Sequence, residues 1–394
     1  MESIKDKVAI VGMGCTRFGE LWDKDADDLI VEAAYEALED AKVELKDIQA
    51  AWVGTMGQVT GATIASPLQL QYIPVTRVEN ACATAAESIR AAALALAAKA
   101  YDLVLAIGFE KMKDHGYGGL HPKYSAEKWH PVYTAGGTAP GRYALAATRY
   151  FAKYGLSQEE GKRTLAKVSV KSHHNGARNP KAWLRREVTL DEVMNAPIVA
   201  WPLGLYDCCG VTDGAVAAIM CRTEDAKAFR DDYVTIKGFG ISIGPGWGKT
   251  KEDYDFTHWE ETERAARQAY EMAGIKHPLK ELDMAEVHDC FSISELIAIE
   301  SLGFCPKGKA KDYIDAGTFT QEGELPVNLS GGLKSFGHPI GASGIREVYE
   351  IYKQIQGKAQ DSSRQLKNVR LGLAHNQGGH PGRFQCGITI IGAR

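Results

Sequence analysis

The stretch AEVHDCFSISELIA sets His288, Asp289 and Cys290 side by side, between a short apolar run and a run of helical period. Burying three ionisable or reactive groups together costs free energy unless each finds a partner. The stretch is therefore either a solvated turn or a reactive site. At a strand end, residues two apart project to the same side, so His288 and Cys290 can face one space while Asp289 turns away to orient or cap. Two other segments share this pattern of a reactive residue among small ones where a strand meets a helix. In RVENACATAAESIRAAALALAAKA, Cys82 falls at the end of a strand and the start of an Ala-rich helix. Backbone N–H groups and the helix dipole there favour a thiolate, which predicts a lowered thiol pKa. The small neighbours Ala81, Ala83 and Thr84 leave room for a substrate carbonyl; the alternative is a buried structural cysteine. In LSGGLKSFGHPIGASGIREVYEIYKQI, His338 lies between Gly337 and Pro339. Glycine admits close approach of backbone to ligand, and proline stiffens the turn that aims the imidazole. A fourth segment, VRLGLAHNQGGHPGRFQCGITIIG, places Gly378 and Gly379 just after Asn376 and so offers backbone N–H groups to an oxyanion. His375 and His380 in it read equally well as polar loop residues and as site residues.

The elements that must hold these residues alternate along the chain. KVAIVGMGCTRF reads as a strand, residues 25–43 as an amphipathic helix, AAWVGTM as a strand, residues 83–101 as a helix and DLVLAIGFEKM as a buried strand. This predicts an α/β fold with helices on both faces of a sheet. The chain also echoes itself: AYEALEDAKVELKDIQAAWVG begins at Ala34, and AYEMAGIKHPLKELDMAEVH begins at Ala269. Each copy runs helix, turn, strand, so a duplication is expected, with halves at 1–230 and 231–394. His288 falls opposite Gly54 in this echo. Only one half needs a reactive group there, so the triplet belongs to a site and not to the fold. Residues 113–190 interrupt the first half, are rich in Gly, His, Trp and Tyr, and are expected to form a lid or binding surface. His173 and His174 lie on a charged helix and are expected to meet solvent; the adjacent Cys208 and Cys209 are expected to pack or line a turn.

Composition narrows the class. The 394 residues hold 46 basic against 50 acidic side chains with no dense cationic run, so nucleic acid and anionic membrane are poor partners. The eight cysteines show no CxxC pair, which argues against zinc ligation and a disulfide framework. No metal site is expected. GMGCTRFG lacks the GxGxxG spacing of a dinucleotide fold. The opening MESIKDK has no signal-peptide pattern, and no apolar run approaches the roughly 20 residues of a membrane span, so a soluble cytoplasmic protein is expected.

Together these motifs resemble the thiolase superfamily, and most closely its archaeal-type and sterol-carrier-protein-type members. Those members share His-Asp-Cys-Phe, here 288–291, and the turn Gly-His-Pro-x-Gly-x-[ST]-Gly, here 337–344. They also share His-Asn-x-Gly-Gly, here 375–379, and an Asp-Gly-Ala strand start, here 213–215. The resemblance covers nearly the whole chain. It implies a five-layer α-β-α-β-α fold of two similar halves, a homodimer core, and coenzyme A as co-substrate with no metal or bound cofactor. It further implies thiolysis of a 3-oxoacyl-CoA, or the reverse Claisen condensation, with Cys82 as nucleophile and His338 as its base. Thiolases usually carry a second cysteine in the terminal glycine motif, where this chain has Asn376; in relatives with His-Asp-Cys-Phe the cysteine of that motif takes over, here Cys290. His288 with His338 would hold the enolate oxygen, and the N–H groups of Cys82 and Gly378 the tetrahedral intermediate.

One departure bears on the substrate. Relatives tend to carry small residues after Gly379, whereas this chain has His380, Pro381, Arg383, Phe384 and Gln385. A basic and aromatic insertion there points to an acyl group with a carboxylate or ring. The thiolases of anaerobic toluene breakdown, which cleave 2-benzoylsuccinyl-CoA to benzoyl-CoA and succinyl-CoA, fit that description; acetoacetyl-CoA is the plainer alternative. Such relatives often work with a small partner built from a zinc ribbon and an oligonucleotide-binding-type (OB) barrel. Three rivals remain: a retro-aldol lyase, which would lack the nucleophilic cysteine; a condensing synthase, which would not need Cys290; and a non-catalytic acyl-CoA scaffold.

Overall fold

The computed structural model describes residues 3–57, 60–116 and 137–394. Residues 117–136 of the expected insertion lie outside them. The elements that position the site are β1 (Val8–Cys15), α1 (Ala26–Ala41), β2 (Ala50–Gly54), β3 (Val75–Val78), α2 (Thr84–Ala97) and β4 (Leu103–Lys111). They continue with α3 (Ala139–Tyr154), α4 (Gln158–Ala177), β5 (Ile198–Ala200), β6 (Leu203–Gly204), β7 (Asp213–Arg222) and β8 (Val234–Ile243). The last are α5 (Glu260–Ala273), β9 (Met284–Val287), α6 (Ser292–Ser301), α7 (Gly332–Phe336), α8 (Ser343–Ile355), β10 (Leu371–His380) and β11 (Arg383–Ala393).

Local chemistry sets these boundaries. Asp25 and Asp28 form a capping box at the start of α1, satisfying two backbone donors that the first helical turn leaves open. Leu29, Ile30, Ala33, Ala34, Ala37 and Leu38 then follow at helical spacing and are all buried. β1, β2 and β4 are buried along their whole length, which explains their continuous apolar runs.

Among the described residues the main sheet runs β3-β2-β4-β7-β1-β8-β11-β10-β9. The order is mirrored about the β1·β8 join. One arm reads β1, β7, β4, β2 outward and the other β8, β11, β10, β9. The pairings match too: β2·β4 and β9·β10 are parallel, whereas β4·β7 and β10·β11 are antiparallel. Three apolar clusters give the layers. α1 covers the outer face of the first arm through Leu29, Ile30 and Ala37 against Val11, Val53 and Ile107. α2 and α8 fill the space between the arms, where Ile89, Ala92, Val348 and Ile351 meet Val104 and Ala218 on one side and Met284 and Ala374 on the other. α5, α3 and α6 cover the second arm's outer face. The result is helix, strand, helix, strand, helix, as the fold class expected.

The described part of the insertion is largely helical: α3 and α4, each started by a hydroxyl cap, at Thr138 and Ser157. One expectation there fails. His173 is buried at 3 % exposure, its Nδ1 lies 3.2 Å from the Arg186 carbonyl oxygen, and burial lowers its pKa to about 4. His174 alone reaches the surface, beside Glu187 at 3.1 Å. Neighbours on a helix point about 100° apart, so a helix packed on several sides treats them differently. Among the described residues no helix is long and apolar enough to cross a membrane.

Candidate active site

β3 ends at Val78, and the chain reaches α2 through a tight turn. The Ala83 N–H donates to the Asn80 carbonyl at 3.0 Å and the Asn80 N–H to Thr84 Oγ1 at 2.9 Å. Ala81 takes φ +49°, an uncommon left-handed conformation for a residue with a Cβ. This bend lifts Cys82 off the helix end. β10 comes in directly against it: a Cβ on Gly378 would lie 2.6 Å from both the Cys82 nitrogen and the Asn80 oxygen. Only glycine fits there. The N–H groups that reach the thiol are those of Cys82 itself and of Gly379, one residue beyond the expected Gly378. Gly378 permits the approach, and its neighbour supplies the donor.

The expected lowering of the Cys82 pKa is not found. Burial pushes the thiol up, nearby Cys290 and Glu110 add to this, and the two N–H groups offset only part of it. The helix terminus is one contribution among several, and the enclosure of the site is the larger effect. At rest Cys82 is a neutral thiol.

His338 is aimed by three contacts. Its N–H donates to Thr212 Oγ1 at 2.7 Å, just ahead of β7. Gly337 before it takes φ +118°, and a Cβ there would meet Thr212 at 2.7 Å. Its Nδ1 lies 2.7 Å from Ser343 Oγ, and that hydroxyl donates onward to the Pro339 carbonyl at 3.0 Å. A hydroxyl that has spent its proton can only accept, so Nδ1 carries the imidazole proton and Nε2 is free to take one. Burial, with Arg346 behind it, lowers the His338 pKa to about 4. Ser343→Ala is expected to slow acylation of Cys82 about fivefold to tenfold, the worth of one hydrogen bond that fixes the tautomer. Rapid-quench mass measurement of the acyl adduct checks this.

His288 stands edge-on to His338, with ring centroids 5.0 Å apart at 82°. One ring nitrogen of each histidine and the Cys82 sulfur lie within 4.8 Å of one another. His288 is also neutral, its pKa well below the ordinary value through burial and the neighbouring His338, His375 and Arg346. Behind it His375 is a supporting residue: its backbone oxygen accepts the His288 N–H at 3.0 Å, and its Nε2 lies 3.2 Å from Thr262 Oγ1. Asp289 turns away, as the alternation expects. Its carboxylate accepts from Lys334 Nζ at 2.7 Å and from the Leu333 N–H at 2.5 Å, fastening α7 and so the turn that carries His338.

Cys290 ends the segment, 6 % exposed, with its sulfur 3.5 Å from Ser294 Oγ on the first turn of α6. Burial pushes its thiol up to about 11, against the pull of the Ser294 and Tyr143 hydroxyls. It lies near enough to raise the Cys82 pKa. The Cys208–Cys209 pair, expected to pack or line a turn, borders this site: the Cys209 N–H donates to the Cys290 carbonyl at 2.8 Å, and its thiol is raised by burial and then by Cys290.

Cys82, His288, Cys290 and His338 thus converge, with Gly378 and Gly379 against the first. Asn376 and Arg383 do not join them. Asn376 Oδ1 receives the Ala86 N–H of α2 at 3.4 Å, so the side chain braces the central helices, and its Nδ2 is buried without a partner. Arg383 opens β11 opposite His380, is exposed, and lies against Gly246. His380 closes β10, half-buried, with Nδ1 3.1 Å from the Pro381 oxygen. Sequence reading missed Thr212, Ser343, Ser294 and Cys209. For Ser343 a signal existed, five residues after His338 in the same motif; the others meet the site only through folding.

A thiol with an imidazole base, a second thiol, a second imidazole and a pair of N–H groups can open and remake a thioester. The comparisons agree with that chemistry. Residues 8–224 match the family model for the thiolase N-terminal domain, and residues 248–389 the one described as thiolase C-terminal domain-like. An acetyl-CoA acetyltransferase of Methanothermobacter thermautotrophicus is 38% identical over 387 residues, 95% of this chain and 97% of the relative. The benzoylsuccinyl-CoA thiolase subunit BbsB of Thauera aromatica is 34% identical over 382 residues, 95% of this chain and 96% of the relative. Among solved structures the Ltp2-ChsH2(DUF35) aldolase superposes with a TM-score of 0.83, covering 100% of this chain and 99% of that one at 24% identity, which speaks for the fold alone. The chain belongs to the thiolase family, whose members are acyltransferases acting on coenzyme A thioesters.

Proposed function

We propose that the protein catalyses coenzyme A-dependent cleavage of a 3-oxoacyl-CoA, or its reverse Claisen condensation, through an acyl group carried on Cys82. His338 Nε2 takes the thiol proton as sulfur attacks the 3-oxo carbon, and the N–H groups of Cys82 and Gly379 hold the resulting oxyanion. The C2–C3 bond then breaks, its electron pair passes to C2, and Cys290 gives that carbon a proton. His288 and His338 hold the enolate oxygen. Coenzyme A attacks the acyl-Cys82 thioester and restores the thiol. The observation that carries this reading is the convergence of both sulfurs and both imidazoles, drawn from residues far apart in sequence, on one pocket. Incubation with an acyl-CoA followed by intact-mass and peptide measurement tests it. An acyl adduct on Cys82 is expected; an enzyme that cleaves without acquiring one overturns it.

For the acyl group we favour one with a carboxylate or ring, 2-benzoylsuccinyl-CoA being the example. The support is the exposed Arg383 of the terminal hairpin together with the relative named for that substrate; Phe384, fully buried against Trp259, serves the core instead. The acetyltransferase relative supports acetoacetyl-CoA as the second reading. Arg383→Ala separates them: kcat/KM is expected to fall about tenfold to a hundredfold for a carboxylated 3-oxoacyl-CoA, the worth of a charged hydrogen bond, and to hold for a plain one. Equal losses on both remove the carboxylate role. The same reading takes the chain as two halves meeting near residue 230, a cytoplasmic homodimer, with a small zinc-ribbon and OB-barrel subunit as partner. That one relative is named as a subunit supports the last point.

A further inference from the structure

Cys290 is asked to part with a proton and recover it in a closed, largely apolar corner. Burial opposes the thiolate there, Asp289 next in sequence opposes it further, and the neutral thiols of Cys82 and Cys209 stand nearby. Lys334 favours it from α7 but is itself committed to Asp289 at 2.7 Å. Two hydroxyls face the sulfur. One is Ser294, a single helical turn along α6. The other comes from a different element, within the segment that interrupts the first half: Tyr143, in the second turn of α3.

The Tyr143 ring is held as a lever. It is 3 % exposed and stacks on Phe291, the residue after Cys290, with centroids 4.5 Å apart and planes at 29°. Trp259 meets its edge at 6.5 Å and Phe384 lies at 6.3 Å. An aromatic ring so packed has little rotational freedom. Its hydroxyl is fixed beside Cys290 and Ser294, and burial keeps that hydroxyl protonated at any working pH, able to donate.

We propose that Tyr143 is a positioning residue for carbon–carbon cleavage, donating its hydroxyl to the Cys290 sulfur and holding the thiolate left when Cys290 protonates the substrate. This rests on the reading of Cys290 as the acid and base. The S–H bond breaks as the C2–H bond forms, and the electron pair left on sulfur is shared between the Tyr143 and Ser294 O–H groups. When coenzyme A attacks acyl-Cys82, the proton of its thiol returns to Cys290.

Tyr143→Phe keeps the ring and removes the donor. In a Cys82→Ala background, iodoacetamide alkylation of Cys290 is followed at pH 8.5 by peptide mass spectrometry. A hydrogen bond to a charged group is worth about one pH unit or more, so alkylation is expected to slow about threefold or more once the greater nucleophilicity of a more basic thiolate is allowed for. The lost hydroxyl leaves more room for the reagent, so a merely packing role predicts unchanged or faster alkylation, and that result overturns the proposal. With Cys82 intact, Tyr143→Phe is expected to lower cleavage about tenfold to a hundredfold while the acyl adduct on Cys82 still forms. Ser294→Ala, which leaves the ring stack whole, is expected to slow alkylation to a smaller extent; no effect from either variant also overturns the proposal. Failure of the underlying reading looks different: Cys290→Ala would then cleave normally, whatever the alkylation shows.

Discussion

Cys82→Ala is expected to form no acyl adduct and to lose turnover by about ten-thousandfold or more, the usual consequence of removing a covalent nucleophile. The N–H pair and the two imidazoles would survive the change, because the turn from Asn80 to Thr84 is held by backbone and Thr84 contacts that do not involve sulfur. What is lost is the atom that accepts the acyl group. The resting state of the pair sharpens this expectation. His338 lies at about 4 and the Cys82 thiol above its ordinary value, both through burial, so thiol and imidazole are neutral between pH 6 and 8. Two measurable consequences follow. Acylation is expected to stay level across that range and to fall as pH drops through about 4, where His338 gains a proton and can no longer take one. Alkylation of Cys82 in the resting enzyme is expected to keep rising with pH past 9. A plateau at pH 5 to 7 would mean a preformed thiolate–imidazolium pair and would contradict a thiol raised by enclosure.

The raised Cys82 thiol marks where local sequence stops being informative. Cys82 and His338 were legible because each sits among alanines, glycines or a proline at a strand–helix junction, and His288 and Cys290 because two reactive residues stand two apart at another such junction. The mirrored arms of the sheet were legible in the echo between Ala34 and Ala269, which now falls on α1 with β2 and on α5 with β9. The direction of the Cys82 pKa was not legible, since the helix terminus is local and can be read from neighbours, whereas desolvation sums over the whole enclosure. The donor shifted from Gly378 to Gly379 for a related reason. Both glycines are alike in sequence, and only the way β10 lies on the Asn80 turn decides which one gives its N–H. Asn376 stood in the position of a familiar site residue yet faces α2, because the second sulfur arrives from β9 instead. Thr212, Cys209 and Tyr143 bring no motif with them. They meet the site through the loop before β7 and through α3, and only folding puts them there.

Cys290→Ala divides the reaction at its midpoint, and its effect should rival that of losing the nucleophile. Acyl transfer from a simple acyl-CoA to Cys82 breaks no carbon–carbon bond, and the coenzyme A sulfur is a good leaving group that can depart without a proton from Cys290, so the adduct is still expected to form. Cleavage of a 3-oxoacyl-CoA needs more, because breaking the C2–C3 bond leaves a carbanion that no hydrogen bond to oxygen can protonate. His288 is neutral and buried, with a pKa well below that of free imidazole, and the proton His338 took from Cys82 is the one it turns to the enolate oxygen, so neither imidazole is set to give a proton to carbon. Turnover is expected to fall about a thousandfold, within the range assigned to general acid–base groups. Cys290→Ser should not restore it: a hydroxyl is a far weaker acid than a thiol, and the burial that already lifts the thiol to about 11 would lift the hydroxyl further. The change is small in volume and the site is lined by Ser294 and Tyr143, so stability should move by about 1 kcal/mol and leave the kinetic effect distinct. Single-turnover assays that follow adduct and cleavage product side by side separate the two steps. Adduct without product places the second sulfur in the proton transfer. Product at the ordinary rate would hand that proton to another group, and the nearness of the two thiols would then have to be explained by packing alone.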